Sequence, residues 1–296
     1  MTAAKTAMPE GGRGQPRQFE PDAPTLVFTD LDGTLLDHYS YSPADALKAI
    51  ALLESRAVPI IMTTSKTAEE VVAYQQLLAR PQPFITENGG VICVPEGFVP
   101  GLKADASLDG FLLQVFPPAQ ADIVPVIDRL KQELGLRFEG FHEHDADWVA
   151  EVTGLTAEQA RRARRRYSSV PLQWLDNEEK LEHFRDALAG HGLRLLKGGR
   201  FYHVQGPVDK AVAIRRVVTL FQSKGWDNPQ VVALGDGPND RSMLEAADVA
   251  VVVRDHLGRH LELRRDQETI FTRNKGPAGW SEAIFQLFGS ENVNGT

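Results

Sequence analysis

Short apolar runs that end on polar residues recur in the first third of the chain. Residues 25–29, 58–63 and 84–86 are rich in Leu, Val, Ile, Phe and Thr, a composition that favours buried strands. The segments between these runs repeat apolar residues at helical spacing, as Ile50 and Leu53 do in the first of them. Strands that alternate with helices in this way predict a doubly wound parallel sheet.

The alternation stops at about residue 91 and returns after residue 204. Residues 91–204 mix strand-like runs at 91–94 and 111–116 with amphipathic helices around 123–133, 157–166 and 178–190, followed by a pair of strand-like runs at 193–196 and 200–204. This mixture predicts an inserted α+β module. The elements expected after it are a helix at 207–221, a strand at 231–235, a helix at 241–247, strands at 249–253 and 270–272, and a helix at 280–288. We therefore predict an α/β fold in which residues 25–90 and 205–296 form one doubly wound core and residues 91–204 form a second domain.

Composition and charge narrow the classes of function. The 296 residues are 42% hydrophobic and 24% charged, which is typical of a soluble globular protein. A net charge of -8 argues against general nucleic-acid binding, and the chain lacks the run of about 18 apolar residues that a membrane span needs. Its one cysteine, Cys93, excludes an internal disulfide. Residues 1–24 are rich in Gly, Pro, Ala and Gln and have no signal-peptide core, so we expect a disordered leader and a cytoplasmic protein.

Carboxylates, hydroxyls and one lysine lie where the predicted strands end and a helix begins. They are Asp30, Asp32, Thr64, Ser65, Lys210, Asp236 and Asp240. Because the carboxyl ends of parallel strands share one edge of a sheet, we expect these side chains to lie together. Oxygen ligands of this kind suit Mg²⁺, and a lysine beside them offsets the charge of a carboxylate and of a phosphate. The set predicts phosphoryl transfer through an aspartyl-phosphate.

Each of these features also has a simpler interpretation. An isolated Asp-x-Asp-Gly is most often an acidic turn, and a lone lysine such as Lys66 or Lys210 is most often solvated. The basic run at 161–166 is most simply the charged face of a helix. The occurrence of several such motifs in one chain favours the functional interpretation of Asp30, Asp32 and Lys210.

Four of these segments resemble, in order, the motifs of the haloacid dehalogenase superfamily of phosphatases. The run Asp30-Leu31-Asp32-Gly33-Thr34 is similar to the first motif, Thr64 and Lys210 to the second and third, and residues 235–240 to the fourth. The resemblance implies a Rossmann-like α/β core. It also implies that the insertion between the second and third motifs is a C2-type cap, which closes over the active site.

Carried over to this chain, the resemblance implies that Asp30 is the nucleophile and Asp32 the general acid and base. It implies that Thr64 and Lys210 hold the phosphoryl group and that Mg²⁺ is the cofactor. The residues it assigns to the Mg²⁺ site are Asp30, Asp32 through its carbonyl oxygen, Asp236 and Asp240.

Several further segments are similar, within the superfamily, to the mannosyl-3-phosphoglycerate phosphatase group. They are residues 63–67, 87–90 and 198–203 and the Asp209-Lys210 pair. The substrate-binding residues that this similarity and the basic run suggest are Thr64, Ser65, Lys66, Asn88, Gly89, Arg165, Arg200, His203, Lys210 and Asn239. One departure stands out, because Ser169 occupies a cap position where that group has a glutamate, and this leaves the sugar preference open.

The sequence thus predicts a Mg²⁺-dependent phosphatase of mannosyl-3-phosphoglycerate, whose partner is a small phosphorylated sugar-glycerate. The nearest alternative is the glucosyl analogue or another sugar phosphate, because the two sugars differ at one hydroxyl. A catalytically silent sugar-phosphate-binding module would need the loss of a catalytic residue, and a phosphomutase would need a bisphosphate activator. Nothing in the sequence indicates an oligomeric state.

Overall fold

The computed structural model describes residues 18–198 and 200–289. Its strands are β1 (Thr25–Thr29), β2 (Ile60–Met62), β3 (Phe84–Thr86), β4 (Val91–Pro95), β5 (Ala106–Leu108), β6 (Phe111–Val115), β7 (Phe138–Gly140), β8 (Ser169–Trp174), β9 (Arg194–Lys197), β10 (Tyr202–Gln205), β11 (Gln230–Gly235), β12 (Val249–Arg254) and β13 (Thr269–Lys275). Its α-helices are α1 (Leu47–Ser55), α2 (Ala68–Val72), α3 (Gln120–Glu133), α4 (Ala146–Thr153), α5 (Ala157–Arg164), α6 (Glu178–Gly190), α7 (Lys210–Gln222), α8 (Arg241–Ala246) and α9 (Gly276–Phe288).

A parallel sheet in the order β13-β12-β11-β1-β2 forms the centre of the core. Successive side chains of a strand point to opposite faces, so Val27 joins an apolar layer with α1 and α9, and Phe28 a layer with α7 and α8. Trp280 of α9 is fully buried in the first layer, where its Nε1 donates a hydrogen bond to Thr29 Oγ1. Helices on both faces of a parallel sheet confirm the predicted doubly wound α/β fold.

The third predicted strand forms, but it does not extend the parallel sheet as expected. β3 meets the end of β2 at one parallel bridge, between Thr63 and Ile85. Along its length β3 instead pairs with β4 in antiparallel orientation, in a second sheet ordered β3-β4-β6-β5. The cause is the short turn Glu87–Gly89, which reverses the chain directly after β3. A strand that follows a tight reversal pairs antiparallel with the strand before it.

Residues 91–115 pack with the core, although the sequence assigned them to the inserted module. Val91 and Phe111 belong to the layer with α1 and α9, and Ile92 belongs to the opposite layer. The separate apolar cluster of the module begins only at Ile123. The change in packing therefore falls later in the chain than the predicted boundary.

The inserted module has its own antiparallel sheet, ordered β7-β8-β10-β9. Apolar residues of α3 and α6, such as Ile127 and Phe184, form a cluster with it. A smaller cluster around Val149 and Ala160 joins α4 to α5. The sequence pattern predicted α3, α5, α6 and the last two strands, but it missed β7, β8 and α4, which are short or lack a clear apolar period.

The N-terminal segment departs from the predicted disorder where the structure describes it. Residues 1–17 of the predicted leader lie outside the described residues. Phe19 packs edge-on against Phe288 of α9, with ring centroids 5.2 Å apart, so the prediction is wrong for the segment around Phe19. Within the described ranges, no helix is both long and apolar enough to cross a membrane.

Candidate active site

The carboxyl end of β1 places Asp30 beside the first residue of α7. Lys210 Nζ donates hydrogen bonds to Asp30 Oδ1 at 2.8 Å, to Asp240 Oδ1 at 2.6 Å and to the carbonyl oxygen of Thr63 at 2.7 Å. The Lys210 side chain has no exposed area. Asp209 accepts a backbone N–H as the N-cap of α7, which fixes the start of the helix and with it the position of Lys210. Three chain segments thus meet at one ammonium group.

Burial and neighbouring charges shift the pKa values of Asp30, Asp236 and Lys210. Burial, and then the charge of Asp240, raise the pKa of Asp30 to about 7, although Lys210 opposes the shift. Burial, followed by Asp240 and Asp30, raises the pKa of Asp236 well above its usual range. Burial alone would lower the pKa of Lys210, but Asp240 and Asp30 outweigh it and raise that pKa. Carboxylates crowded in this way are stabilised by a divalent cation.

The carboxylates of Asp30, Asp236 and Asp240 present oxygens that all lie within 4.8 Å of one another. Asp240 Oδ2 also accepts hydrogen bonds from the backbone N–H groups of Asp236 and Gly237, at 3.1 and 2.9 Å. Thr34 donates to Asp236 Oδ1 at 2.9 Å, which orients that carboxylate. Carboxylate oxygens are the donors that Mg²⁺ prefers, so the residues present fit a Mg²⁺ ion.

Asp32 lies apart from this carboxylate cluster. Its Oδ2 is 2.9 Å from Lys66 Nζ, and the Lys66 ammonium lies 4.8 Å from the ring centroid of Tyr41. Asp32 Oδ1 is buried and has no hydrogen-bond partner among the described residues. A carboxylate oxygen without a hydrogen-bond partner is available to give or take a proton, and the charge of Asp32 is one of the causes that raise the pKa of Asp30. Lys66, predicted to bind substrate, is in this structure the partner of Asp32.

The loop that follows β2 carries the predicted hydroxyl residues Thr64 and Ser65. Thr64 is 1% exposed, and its Oγ1 accepts a hydrogen bond from the backbone N–H of Lys66 at 3.3 Å. The carbonyl oxygen of Ser65 accepts a hydrogen bond from Arg166 of the inserted module. This loop of the core is therefore also in contact with the inserted module.

Asn88 and Asn239 meet on the side of the site formed by the turn Glu87–Gly89. Asn239 Nδ2 donates to Asn88 Oδ1 at 3.3 Å, and Asn88 Nδ2 is buried without a hydrogen-bond partner in the described structure. Gly89 has a φ of +101°, and a Cβ at this position would overlap the carbonyl group of Asp209. Only glycine therefore allows the turn to approach the start of α7 this closely.

The three residues of the inserted module that were predicted to bind substrate are less well placed for it than those of the core. Arg165 is 72% exposed and pairs with Glu69 at 2.6 Å, and Arg200 donates a hydrogen bond to the carbonyl oxygen of Thr153. His203 is buried, and this burial, with a smaller effect of Arg166, lowers its pKa to about 3. Its Nδ1 has no partner among the described residues. Neither arginine has a described contact with the carboxylate cluster.

Sequence reasoning did not select two residues that the structure places at the junction of core and module. Glu87 is fully buried and accepts hydrogen bonds from residues 167–169, and Arg166 contacts the loop that carries Ser65. Glu87 belongs to a segment with a recognised similarity, and Arg166 belongs to the basic run. Both residues therefore lie in segments that the sequence analysis had already selected. The contact of Glu87 with residues 167–169 joins positions about eighty residues apart, and no local sequence pattern predicts it.

Two sequence comparisons found similarity between this chain and known proteins. A family model described as haloacid dehalogenase-like hydrolase matches residues 27–99 and 172–257. A protein of Methanococcoides burtonii named glucosyl-3-phosphoglycerate/mannosyl-3-phosphoglycerate phosphatase is 33% identical over 273 residues, which are 90% of this chain and 98% of that protein.

Two solved structures are similar in fold. A Thermoplasma acidophilum protein aligns with a TM-score of 0.61 and 15% identity, covering 90% of this chain and 99% of that one. A haloalkanoate-superfamily phosphatase of Bacteroides thetaiotaomicron aligns with a TM-score of 0.60 and 16% identity, covering 97% of this chain and 99% of that one. At these identities, the two structures support the arrangement of strands and helices only.

Proposed function

Because the chain belongs to the haloacid dehalogenase-like hydrolase family, we propose that it is a Mg²⁺-dependent phosphatase whose nucleophile is Asp30. The observation that carries the proposal is the 2.8 Å contact of Asp30 with the buried Lys210, inside a cluster of carboxylates. Because Lys210 contacts Oδ1, the other oxygen of Asp30 is left for attack on phosphorus. Attack in line with the leaving oxygen forms an aspartyl-phosphate and breaks the phosphorus–oxygen bond to the substrate.

Asp32 moves the protons in both halves of the proposed reaction. It donates a proton to the oxygen that leaves with the organic group, then accepts one from the water that attacks the aspartyl-phosphate. Hydrolysis releases phosphate and restores the Asp30 carboxylate. Thr64, Ser65 and Lys210 hold the phosphoryl oxygens, and Lys66, Asn88, Gly89 and Asn239 complete that side of the site. When bound by Asp30, Asp236 and Asp240, Mg²⁺ would offset the negative charge of the phosphoryl group.

The proposed substrate is mannosyl-3-phosphoglycerate, which would yield mannosylglycerate and phosphate. The glucosyl analogue is the alternative, because the name of the Methanococcoides burtonii relative covers both sugars. We assign the choice of sugar to the inserted module, which acts as a cap, with His203 as a candidate contact. His203 would face the substrate as a neutral ring, since its pKa is lowered to about 3.

Phosphate release by the purified protein tests this proposal. The substrate panel holds mannosyl-3-phosphoglycerate, glucosyl-3-phosphoglycerate, sucrose-6-phosphate and simple sugar phosphates, each with Mg²⁺ and with EDTA. We expect EDTA-sensitive turnover with a clear preference for one glycosyl-phosphoglycerate, in the absence of any bisphosphate activator.

Two other outcomes would change the proposal in different ways. Low, uniform, EDTA-sensitive activity across the panel would retain the phosphatase chemistry and remove the proposed substrate. Absence of phosphate release from every compound would remove the phosphatase function itself.

A further inference from the structure

The turn Glu87–Gly89 holds the proposed phosphate loop, residues 64–66, by its backbone. The N–H groups of Glu87 and Asn88 donate to the carbonyl oxygens on either side of Ser65, each at 3.0 Å. Glu87 and Asn88 have left-handed φ angles of 52° and 55°, which are costly for residues other than glycine. Strained backbone persists where the surrounding contacts fix it, and such positions cluster at functional sites.

The carbonyl oxygen of Ser65 is held from the inserted module. Arg166 Nη1 donates to Ser65 O at 3.2 Å and to Ser169 Oγ at 3.0 Å. Its Nε donates to the carbonyl oxygen of Ala163 at 3.0 Å. Whereas Arg165 pairs with a carboxylate, Arg166 forms no ion pair in the described ranges. The position of its guanidinium group therefore depends on neutral oxygen acceptors.

Ser169 connects Arg166 to Glu87. The Ser169 hydroxyl donates to Glu87 Oε2 at 2.6 Å while its oxygen accepts the hydrogen bond from Arg166. Glu87 also accepts the backbone N–H groups of Tyr167 at 2.8 Å and of Ser168 at 3.1 Å. Glu87 and Ser169 are both 0% exposed. A buried carboxylate of this kind keeps its three donors in place, because losing one leaves a polar atom unsatisfied away from water.

We propose that Glu87 is a positioning residue that acts through Ser169 and Arg166 to hold the 64–66 loop in the conformation that binds phosphate. The C=O and N–H of one peptide plane point in opposite directions. Fixing three consecutive carbonyl groups therefore also fixes the N–H groups of the same peptide planes. The Lys66 N–H donates to Thr64 Oγ1, so the carbonyl contact of Ser65 with Arg166 also orients the proposed phosphate-binding hydroxyl of Thr64. The inference rests on the proposed function, since it assigns a phosphate to this loop.

Substitution of Ser169 by alanine is the most selective test. Ser169→Ala removes the link to Arg166 but leaves Glu87 with the two backbone N–H groups that attach the module. We expect the Kd for inorganic phosphate and the KM for a hydrolysed phosphomonoester to rise together by about tenfold, the effect of one lost hydrogen bond of about 1.4 kcal/mol. The kcat should change by less than about twofold, because the loop holds oxygens present in both ground and transition state.

A double-mutant cycle separates this network from general damage. Arg166→Met should raise the same two constants, and the Ser169→Ala/Arg166→Met double variant should resemble the stronger single variant. Effects that act through one path do not multiply, whereas independent effects do. Arg161→Met, on an exposed face of α5 in the same basic run, is the matched control and should leave both constants unchanged. Glu87→Gln should produce at least the effect of Ser169→Ala if it folds.

The outcomes separate this inference from the proposed function. Unchanged phosphate Kd and KM in Ser169→Ala, or fold-changes that multiply in the double variant, would overturn the role of Glu87 while leaving the phosphatase intact. A wild-type protein that neither binds phosphate nor releases it would remove the proposed function, and this inference with it.

Discussion

The charged residues of the core site and those on the outside of the inserted module are held in different ways. In the core, Lys210 has no exposed area and contacts two carboxylates and a carbonyl oxygen. In the module, Arg165 is 72% exposed and has one partner, Glu69. Buried ionic groups must be satisfied in one arrangement, because breaking a buried pair leaves an uncompensated charge, whereas an exposed pair is screened by water. The core site is therefore arranged before substrate arrives, whereas the exposed pair of Arg165 with Glu69 is not held in one arrangement.

The inner edge of the module resembles the core more than it resembles the rest of the module. Ser168 and Ser169 are 0% exposed and contact a buried carboxylate of the core. Burial of a polar side chain, more than the domain to which it belongs, thus decides whether its geometry is fixed. Substitutions at different depths test this view, and the expected effects decrease from the centre of the core outwards.

The largest effect is expected at the centre of the core. Asp30→Asn should lower kcat by at least about four orders of magnitude, because an amide cannot form the aspartyl-phosphate. The fold should persist, since the amide oxygen still accepts a hydrogen bond from Lys210. Phosphate release and circular dichroism measure the two quantities. A kcat within tenfold of wild type would show that Asp30 is not the nucleophile.

Asp32→Ala should have the next largest effect, a loss of about 10²–10⁴ in kcat, which is the usual contribution of a positioned acid and base. The loss should depend on the substrate, since an aryl phosphate with an acidic leaving group needs less protonation than a sugar phosphate. Comparing kcat for p-nitrophenyl phosphate and for the preferred sugar phosphate measures this difference. Equal losses for the two substrates would contradict a role of Asp32 in protonating the leaving group.

The sequence was sufficient to predict most of the core site. Asp30, Asp236 and Lys210 come directly after strands or at a helix start, and in a parallel sheet these positions share one edge. The comparisons confirm the predicted family, and the structure brings the three side chains into one cluster with Asp240. Local pattern and topology were enough here because each residue is fixed by the element that carries it.

The remaining features of the fold and of the site depend on contacts between residues far apart in the sequence, which no local pattern encodes. The left-handed turn at Glu87 reverses β3 and moves residues 91–115 into the core, and its side chain meets residues 167–169 far along the chain. The basic run offered several equivalent arginines, and only packing distinguishes Arg166, which contacts the loop, from Arg165, which does not. Phe19 similarly acquires order from an aromatic partner near the C-terminus.

The response to Mg²⁺ should change with pH. A pKa of about 7 for Asp30, raised from 3.8, means that the folded metal-free protein holds a proton that the unfolded chain has released. The metal-free protein therefore loses stability as the pH rises from about 4 to about 7. Mg²⁺ would compete with that proton for the Asp30 carboxylate. At a hundredfold excess over its Kd, bound Mg²⁺ should stabilise the folded protein by about 2.7 kcal/mol. This stabilisation should be reached at a lower Mg²⁺ concentration at pH 8 than at pH 5.

Thermal unfolding with and without Mg²⁺ at the two pH values measures this effect. Asp30→Asn, which removes the titrating group, is the control and should show a weaker dependence of the Mg²⁺ effect on pH. An identical gain in Tm at pH 5 and pH 8 at low Mg²⁺ concentration would show that the proton on Asp30 does not compete with the metal.

The smallest effect is expected at the exposed Arg165 of the module, which the sequence predicted to bind substrate. Arg165→Met should change KM by less than about twofold, because the side chain is exposed and its partner is Glu69. A substrate that recruits Arg165 must first separate it from Glu69, so Glu69→Gln should then lower KM while Arg165→Met raises it. Opposite shifts in the two variants would make the outer arginine part of the site, and no shift in either would restrict the site to the buried residues.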